Sequence, residues 1–194
     1  MKNLILASGS PRRSAILREA GYDPVIRPAD VDETLPEGIS GRDAVMFLSL
    51  KKAMAAQAAL SQSEPALVGS AVILAADTIV YDNEIMGKPS DKAEAREMIL
   101  RLAGRHHQVI TGVTLLDTET GLKYTFADTT AVHCLPVDPA DLEAYLDTPE
   151  PYDKAGAYAI QGWFGKYISH IDGSFTNVVG LPLERTETYL KDLL

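Results

Sequence analysis

The sequence predicts an α/β fold, and three observations carry that expectation. Apolar runs bounded by turn residues alternate along the chain with segments whose apolar residues recur at helical spacing. The run Val72-Ile73-Leu74-Ala75-Ala76-Asp77-Thr78-Ile79-Val80-Tyr81 has no apolar/polar alternation, the pattern of a strand buried on both faces. The chain has 194 residues, 46% hydrophobic and 23% charged, enough for one globular domain with a sizeable core and room for two lobes.

The elements follow in order. Leu4-Ile5-Leu6-Ala7 is an opening strand that breaks at Ser8-Gly9-Ser10 and continues into Pro11-Arg12-Arg13, with Ser10 as N-cap and Pro11 at the first helical position. Ile16, Leu17 and Ala20 then share a helical face that Gly21 ends. Prolines 24 and 28 bracket an edge strand, and Asp30-Val31-Asp32-Glu33 is an acidic loop. Ser40 and Asp43 form a capping pair for a helix from Gly41 to about Leu60, with Val45, Leu48, Ala55 and Ala59 inward and Lys51 and Lys52 midway. After the apolar strand come a turn at Asn83, a loop at Gly87-Lys88-Pro89, and a helix capped by Ser90, running to about Leu102 with Ala93, Met98, Ile99 and Leu102 inward. Runs at His107 to Asp117 and Tyr124 to His133 read as a long hairpin. Asp138-Pro139 opens a short helix ending near Leu146, and Asp153 to Gly162 is too rich in Gly and Ala for a standard helix and is expected to be a functional loop. Tyr167 to Ile171 is a last strand, and a helix from about Pro182 to Leu193 closes the chain.

Bulk properties exclude some functions. A net charge of -9 argues against a non-specific nucleic-acid binder or an anionic-membrane binder, because both need a broad excess of Lys and Arg. Cys134 is the only cysteine, so an intrachain disulfide and a cysteine-rich zinc site are excluded, and a reducing cytosol suits the chain. No apolar run approaches the ~18 residues that span a bilayer, and a soluble, cytoplasmic protein is expected.

Two arginines in the first turn of a helix oppose its dipole, so an anion there would relieve them. Free backbone N–H groups, a Ser8-Gly9-Ser10 loop and two guanidinium forks together suit a phosphate, although a solvated basic turn has the same spacing. Asp77 is the sharpest single signal, because an unpartnered carboxylate among Ala75, Ala76, Ile79 and Val80 would cost several kcal/mol to bury. A hydrogen-bonded structural acid and a metal- or water-handling acid both account for it. Glu33 with Asp77 could hold Mg²⁺ or Mn²⁺ through oxygen and take a proton from water, with Lys52 and Lys88 as matching cations. His106, His107, His133 and His170 fit no metal-ligand spacing and read as structural or surface residues. Neither a P-loop nor a G-x-G-x-x-G motif occurs.

Taken together, Ser8-Gly9-Ser10-Pro11-Arg12-Arg13, Val31-Asp32-Glu33, Lys52-Ala53, Ala76-Asp77-Thr78, Gly87-Lys88-Pro89, Thr111-Gly112-Val113 and the Asp153 to Gly162 segment resemble the Maf family of nucleotide pyrophosphatases over nearly the whole chain. The resemblance implies a mixed, curved sheet flanked by helices, shared with the inosine-triphosphate pyrophosphatases, in a single domain of residues 1–194. It implies hydrolysis of nucleoside triphosphates to monophosphate and pyrophosphate with a divalent metal, Mg or Mn, and a homodimer. Asp77 then corresponds to the general base, Glu33 and Asp77 to the metal acids, and Ser8, Ser10, Arg12, Arg13, Lys52 and Lys88 to the substrate-binding set. Arg12, Thr78 and Gln161 correspond to positions that set substrate choice. The segment around Gln161 is similar to the branch acting on dTTP and UTP, whereas the 7-methyl-GTP branch typically has an acid there. Members are also labelled inhibitors of septum formation, so a nucleotide-binding regulator is the competing expectation, which retention of both Asp77 and Glu33 disfavours.

Overall fold

Residues 2–194 are described by a computed structural model whose strands form one mixed sheet. Its central strand β3 (Ala71–Tyr81) is the unbroken apolar run, and Val72 to Ala76 are fully buried. β1 (Asn3–Leu6) lies parallel to it, with Ile5 opposite Ile73, and β2 (Val25–Ile26) lies parallel to β1. β4 (Ile85–Met86) pairs antiparallel with the end of β3. β5 (His106–Asp117) and β6 (Lys123–Cys134) are neighbours, as expected of the hairpin, and β7 (Ile168–Asp172) pairs antiparallel with β6. The strand order is β2-β1-β3-β5-β6-β7. The chain divides into two compact units, one of the segments ending at Asp77, Thr111–Asp128 and Gly180–Leu194, the other of Thr78–Ile110 and Thr129–Val179.

In the first unit, α1 (Pro11–Glu19) starts where Ser10 and Pro11 put it, yet the Ser10 side chain makes no capping hydrogen bond. α2 (Gly41–Ser63) has the expected cap: Ser40 Oγ accepts from the Asp43 backbone N–H at 3.1 Å and donates to the Asp43 carboxylate at 2.6 Å. Its buried face differs from the expected one. Ala53, Ala56 and Leu60 are buried beside Ile5, Ile73 and Ala75, while Ala59 is exposed and Ala55 half-buried. The stripe drifts round a helix of about six turns, so a face fixed at Val45 and Leu48 does not persist to its end. Near its start α2 presses against β5: a Cβ on Gly112 would lie 2.3 Å from the backbone of Val45, so only glycine fits there. α3 (Pro65–Val68) was not expected from the sequence; it leads into β3, and Thr118 Oγ1 donates to Val68 O at 2.6 Å. At the hairpin turn, burial tends to raise the Asp117 pKa, but hydrogen bonds from Lys2, Thr120 and the Glu119 N–H outweigh it and hold it at about 2. α7 (Leu183–Leu193) buries Leu190 and Leu193 and lays Arg185 over the Phe126 ring.

In the second unit, α4 (Lys92–Leu102) is capped by Asp91, one residue later than expected, with Oδ1 accepting from the Glu94 N–H at 2.9 Å. Ser90 instead donates its N–H and hydroxyl to the Glu94 carboxylate. Ala95, Ile99 and Leu102 face the core and Ala93 faces solvent, because Ala93 lies about 200° round the helix from Ala95. α5 (Pro139–Leu146) starts at the expected Asp138 cap. Asp153 to Gly162 is a series of tight turns, held where the Gly156 N–H donates to Gly87 O at 3.0 Å and Tyr145 Oη donates to Ala157 O at 2.9 Å. Gly156 has φ +66°, and a Cβ there would meet the Val80 side chain at 2.9 Å. Tyr167 belongs to the turn before β7, and α6 (Phe175–Val179) is a further unexpected helix.

Beneath these turns His107 Nε2 and Tyr158 Oη share a buried hydrogen bond of 2.6 Å. Burial lowers the His107 pKa to about 4 and raises the Tyr158 phenol. Cys134, at 4.0 Å from His107 Nδ1, is buried as expected, which pushes its thiol up to about 12. Because the folded His107 pKa lies below its unfolded value, acid favours the unfolded chain: stability is intact above ~6.5 and is lost as pH falls toward ~4, by about 3 kcal/mol from this group. Ring ¹⁵N spectra of the folded protein should keep His107 neutral down to pH 5, and a ring that titrates near 6.5 would refute its buried, uncharged state.

Candidate active site

The first unit assembles most of the expected site from three places in the chain. β1 delivers the Ser8-Gly9-Ser10 loop, where Ser8 Oγ accepts from the Ser10 N–H at 3.2 Å and from Arg13 Nη1 at 3.0 Å. Arg13 Nε also donates to Gly180 O at 2.8 Å, so its guanidinium is oriented from two sides. Burial pulls the Arg13 pKa below the usual arginine value and Arg12 adds to this, while the Asp77 and Glu33 carboxylates oppose it. Arg12, next to it, is half-buried, and its guanidinium has no hydrogen-bonding partner among the described residues. That leaves its fork available to a ligand at the start of α1.

The centre of the arrangement is Lys52. α2 carries its ammonium to 2.6 Å from Asp77 Oδ1 on β3 and 2.7 Å from Glu33 Oε1 in the acidic loop. Asp77 and Lys52 side chains retain 12% and 13% of their exposure, whereas Glu33 retains 60%. The acid in the apolar strand is therefore met by a cation, which removes most of the cost of an isolated buried carboxylate. Beside it Lys51 donates to Asp32 O, and Asp32 accepts from the Thr34 N–H and hydroxyl, bonds that lower its pKa and hold the loop bearing Glu33.

Two carboxylates that one small cation already bridges are hard oxygen donors, so this set fits Mg²⁺ or Mn²⁺ better than a soft metal. Glu33 and Asp77 would hold it.

Three of the expected residues belong to the second unit. Lys88 is exposed in the loop that Gly156 ties down through Gly87, Thr78 is half-buried on β3, and Gln161 is exposed in the turn before Gly162. That turn is anchored by Glu150, whose carboxylate accepts from the Trp163 N–H at 3.1 Å. A Cβ on Gly162 would lie 1.8 Å from Glu150 Oε1, so a larger residue there would displace the Glu150 carboxylate that holds the Trp163 N–H. The sequence reading missed the carbonyl of Gly180, Lys51 and Glu150. Gly180 carries a signal in hindsight: its φ of +126° is one that only glycine adopts freely.

Lys52→Met would leave Asp77 facing Glu33 with no cation between them. Most of the loss falls on Asp77, since the exposed Glu33 is screened, and unfolding should be easier by about 1–2 kcal/mol. Mg²⁺ should then raise the denaturation midpoint of the variant more than that of the wild type. Identical midpoints, with and without Mg²⁺, would remove Lys52 from the centre of the site.

Comparison with known proteins finds relatives along nearly the whole chain. A family model described as Maf-like protein matches residues 3–193. A dTTP/UTP pyrophosphatase of Exiguobacterium sibiricum is 46% identical over 181 residues, 93% of this chain and 87% of its own. Proteins of the same name from Symbiobacterium thermophilum and Bdellovibrio bacteriovorus are 44% and 38% identical, each over 96% of this chain and over 91% and 96% of their own.

Proposed function

Since the chain belongs to the Maf family, we infer that it hydrolyses dTTP and UTP to the nucleoside monophosphate and pyrophosphate. The observation that carries the reading is the Lys52 ammonium held between Asp77 and Glu33, in the unit that also holds the Ser8–Arg13 loop. An acid to activate water and cations to receive polyphosphate are the two requirements of attack at phosphorus. Bound between Glu33 and Asp77, a divalent metal would supply Lewis-acid polarisation of the phosphate.

In this reading the Asp77 carboxylate takes a proton from water as the water oxygen bonds to the α-phosphorus. The bond from the α-phosphorus to the α,β-bridging oxygen breaks, and its electron pair leaves with pyrophosphate. Lys52 holds the Asp77 carboxylate in position through their 2.6 Å hydrogen bond. Arg12, Arg13 and Lys88 neutralise charge on the leaving group, and the Ser8 to Ser10 loop at the start of α1 seats a phosphate. Residues 1–194 act as one Maf-like domain, a view that the match across residues 3–193 supports. The reading includes a cytoplasmic homodimer; the single buried thiol suits that compartment, and no helix among the described residues is long and apolar enough to cross a membrane.

With Mg²⁺ or Mn²⁺, dTTP and UTP should yield monophosphate and pyrophosphate, and Asp77→Asn should lower kcat by roughly 10²-fold or more while the fold survives. Orthophosphate as the first product, or a near-normal kcat in the variant, would overturn the assignment.

Substrate choice is assigned to Arg12, Thr78 and Gln161. The Gln161 amide has two donors and an acceptor, which suits the carbonyls and N3–H of uracil or thymine, whereas a carboxylate only accepts. Gln161→Glu should reduce kcat/KM for dTTP and UTP by about 10-fold or more, with a much smaller loss for a guanine nucleotide. Equal losses for all nucleotides would place Gln161 away from the base.

A further inference from the structure

A second cluster of chemistry-bearing side chains lies on the sheet, built from histidines whose sequence spacing gave no metal signal. β6 and β7 pair so that His133 stands directly opposite His170 and Ala131 opposite Asp172. Side chains alternate faces along a strand, so His133, His170 and Asp172 emerge on the same face. His133 Nε2 lies 3.0 Å from Asp172 Oδ2, and His170 Nε2 lies 4.0 Å from the same oxygen. The two imidazoles stack at 4.0 Å, and His106 stacks on the far side of His133 at 5.5 Å. His170 and Asp172 are exposed and His133 partly so, so an ion from solvent reaches them.

We propose that His133, His170 and Asp172 form a surface binding site for a divalent transition-metal ion, of which Zn²⁺ is the type. One ligand atom from each lies within 4.8 Å of the other two, and this is the only such group of three among the described residues. Around a tetrahedral zinc, ligand atoms stand about 3.4 Å apart, given Zn–N and Zn–O bonds of about 2.1 Å. The 3.0 Å pair is already that close, and the longer separations close by rotation of exposed side chains.

A hydrogen-bond chain selects the ligating nitrogen. Ser169 Oγ donates to His133 O at 3.0 Å, so its proton is committed and its lone pairs accept at 3.2 Å from His170 Nδ1–H. With the proton on Nδ1, His170 Nε2 bears the free lone pair that a metal needs, and Ser169 becomes the outer partner that holds the ring. His133 Nε2–H points at Asp172, and zinc would replace that proton while accepting from both groups. Two imidazoles and one carboxylate leave a fourth position open to water or to a side chain from a partner molecule. The ion would link β6 to β7, the last strand in the sheet order.

Equilibrium dialysis of the full chain against ZnCl₂ tests the site. The Glu33–Asp77 pair would retain any zinc it takes in every protein compared, so the count is read as a difference between proteins. Wild type should bind one more zinc than His170→Ala or Asp172→Asn, or bind it at least about 10-fold tighter, and Ser169→Ala should weaken it several-fold without removing it. His106→Ala should change nothing beyond twofold. Zinc should also move the ring ¹⁵N signals of His133 and His170 while leaving buried His107 in place. Equal counts and affinities in wild type, His170→Ala and Asp172→Asn would overturn the proposal, as would a loss in His106→Ala as large as that in His170→Ala.

Discussion

An apolar strand buried on both faces leaves no water for an acid placed along it, and this constraint shapes the first unit. Asp77 stands where β3 stops being wholly apolar, and its charge can stay there because α2 brings Lys52 to it. The length and placement of α2 are part of the same solution. The helix must begin with a firm cap at Ser40, pass close over Gly112, and continue long enough to put Lys52 opposite the strand. Glu33 then adds a second carboxylate to the same ammonium from a loop that Asp32 and Thr34 stiffen.

The second unit solves a different problem, that of fixing a Gly- and Ala-rich segment with few side chains to grip. Its backbone is held instead, by Tyr145 on the carbonyl of Ala157, by Gly87 on the N–H of Gly156, and by Glu150 on the N–H of Trp163. The first of these anchors has its own core contacts, with Tyr145 buried on α5 and stacked on Trp163 at 4.7 Å. Exposed Gln161 and Lys88 are thus carried on turns whose backbone is constrained even though their own side chains are free to meet a ligand.

Much of this was legible in the sequence because it depends on neighbours along the chain. The apolar run of β3, the Ser40 and Asp138 caps, the hairpin and the strand–turn–helix start all follow from local pattern. Most of what failed depended on contacts remote in sequence, the choice of cap for α4 being the local exception. Ala55 and Ala59 look as apolar as Ala53 and Ala56, and only the sheet beneath α2 chooses between the pairs. Ser90 and Asp91 are both good caps, and the later one is used. In the site, Asp77 was conspicuous because it breaks an apolar run, but its pairing with Lys52 spans 25 residues and needs the folded chain. The histidines were passed over for the same reason: His133 and His170 become neighbours only through strand pairing, which a search for spacings within one helix does not see.

The isolation of Cys134 has a practical side. Its thiol is buried and its pKa raised to about 12, so the thiolate that oxidants and alkylating reagents attack is scarce at neutral pH. The protein is therefore insulated from peroxide and from disulfide exchange without having given up cysteine altogether. It is also a ready background for site-directed spectroscopy. A cysteine introduced at an exposed position such as Ser63 or Thr188 would be the sole accessible thiol, so a fluorophore or spin label could be attached there without first removing the native residue.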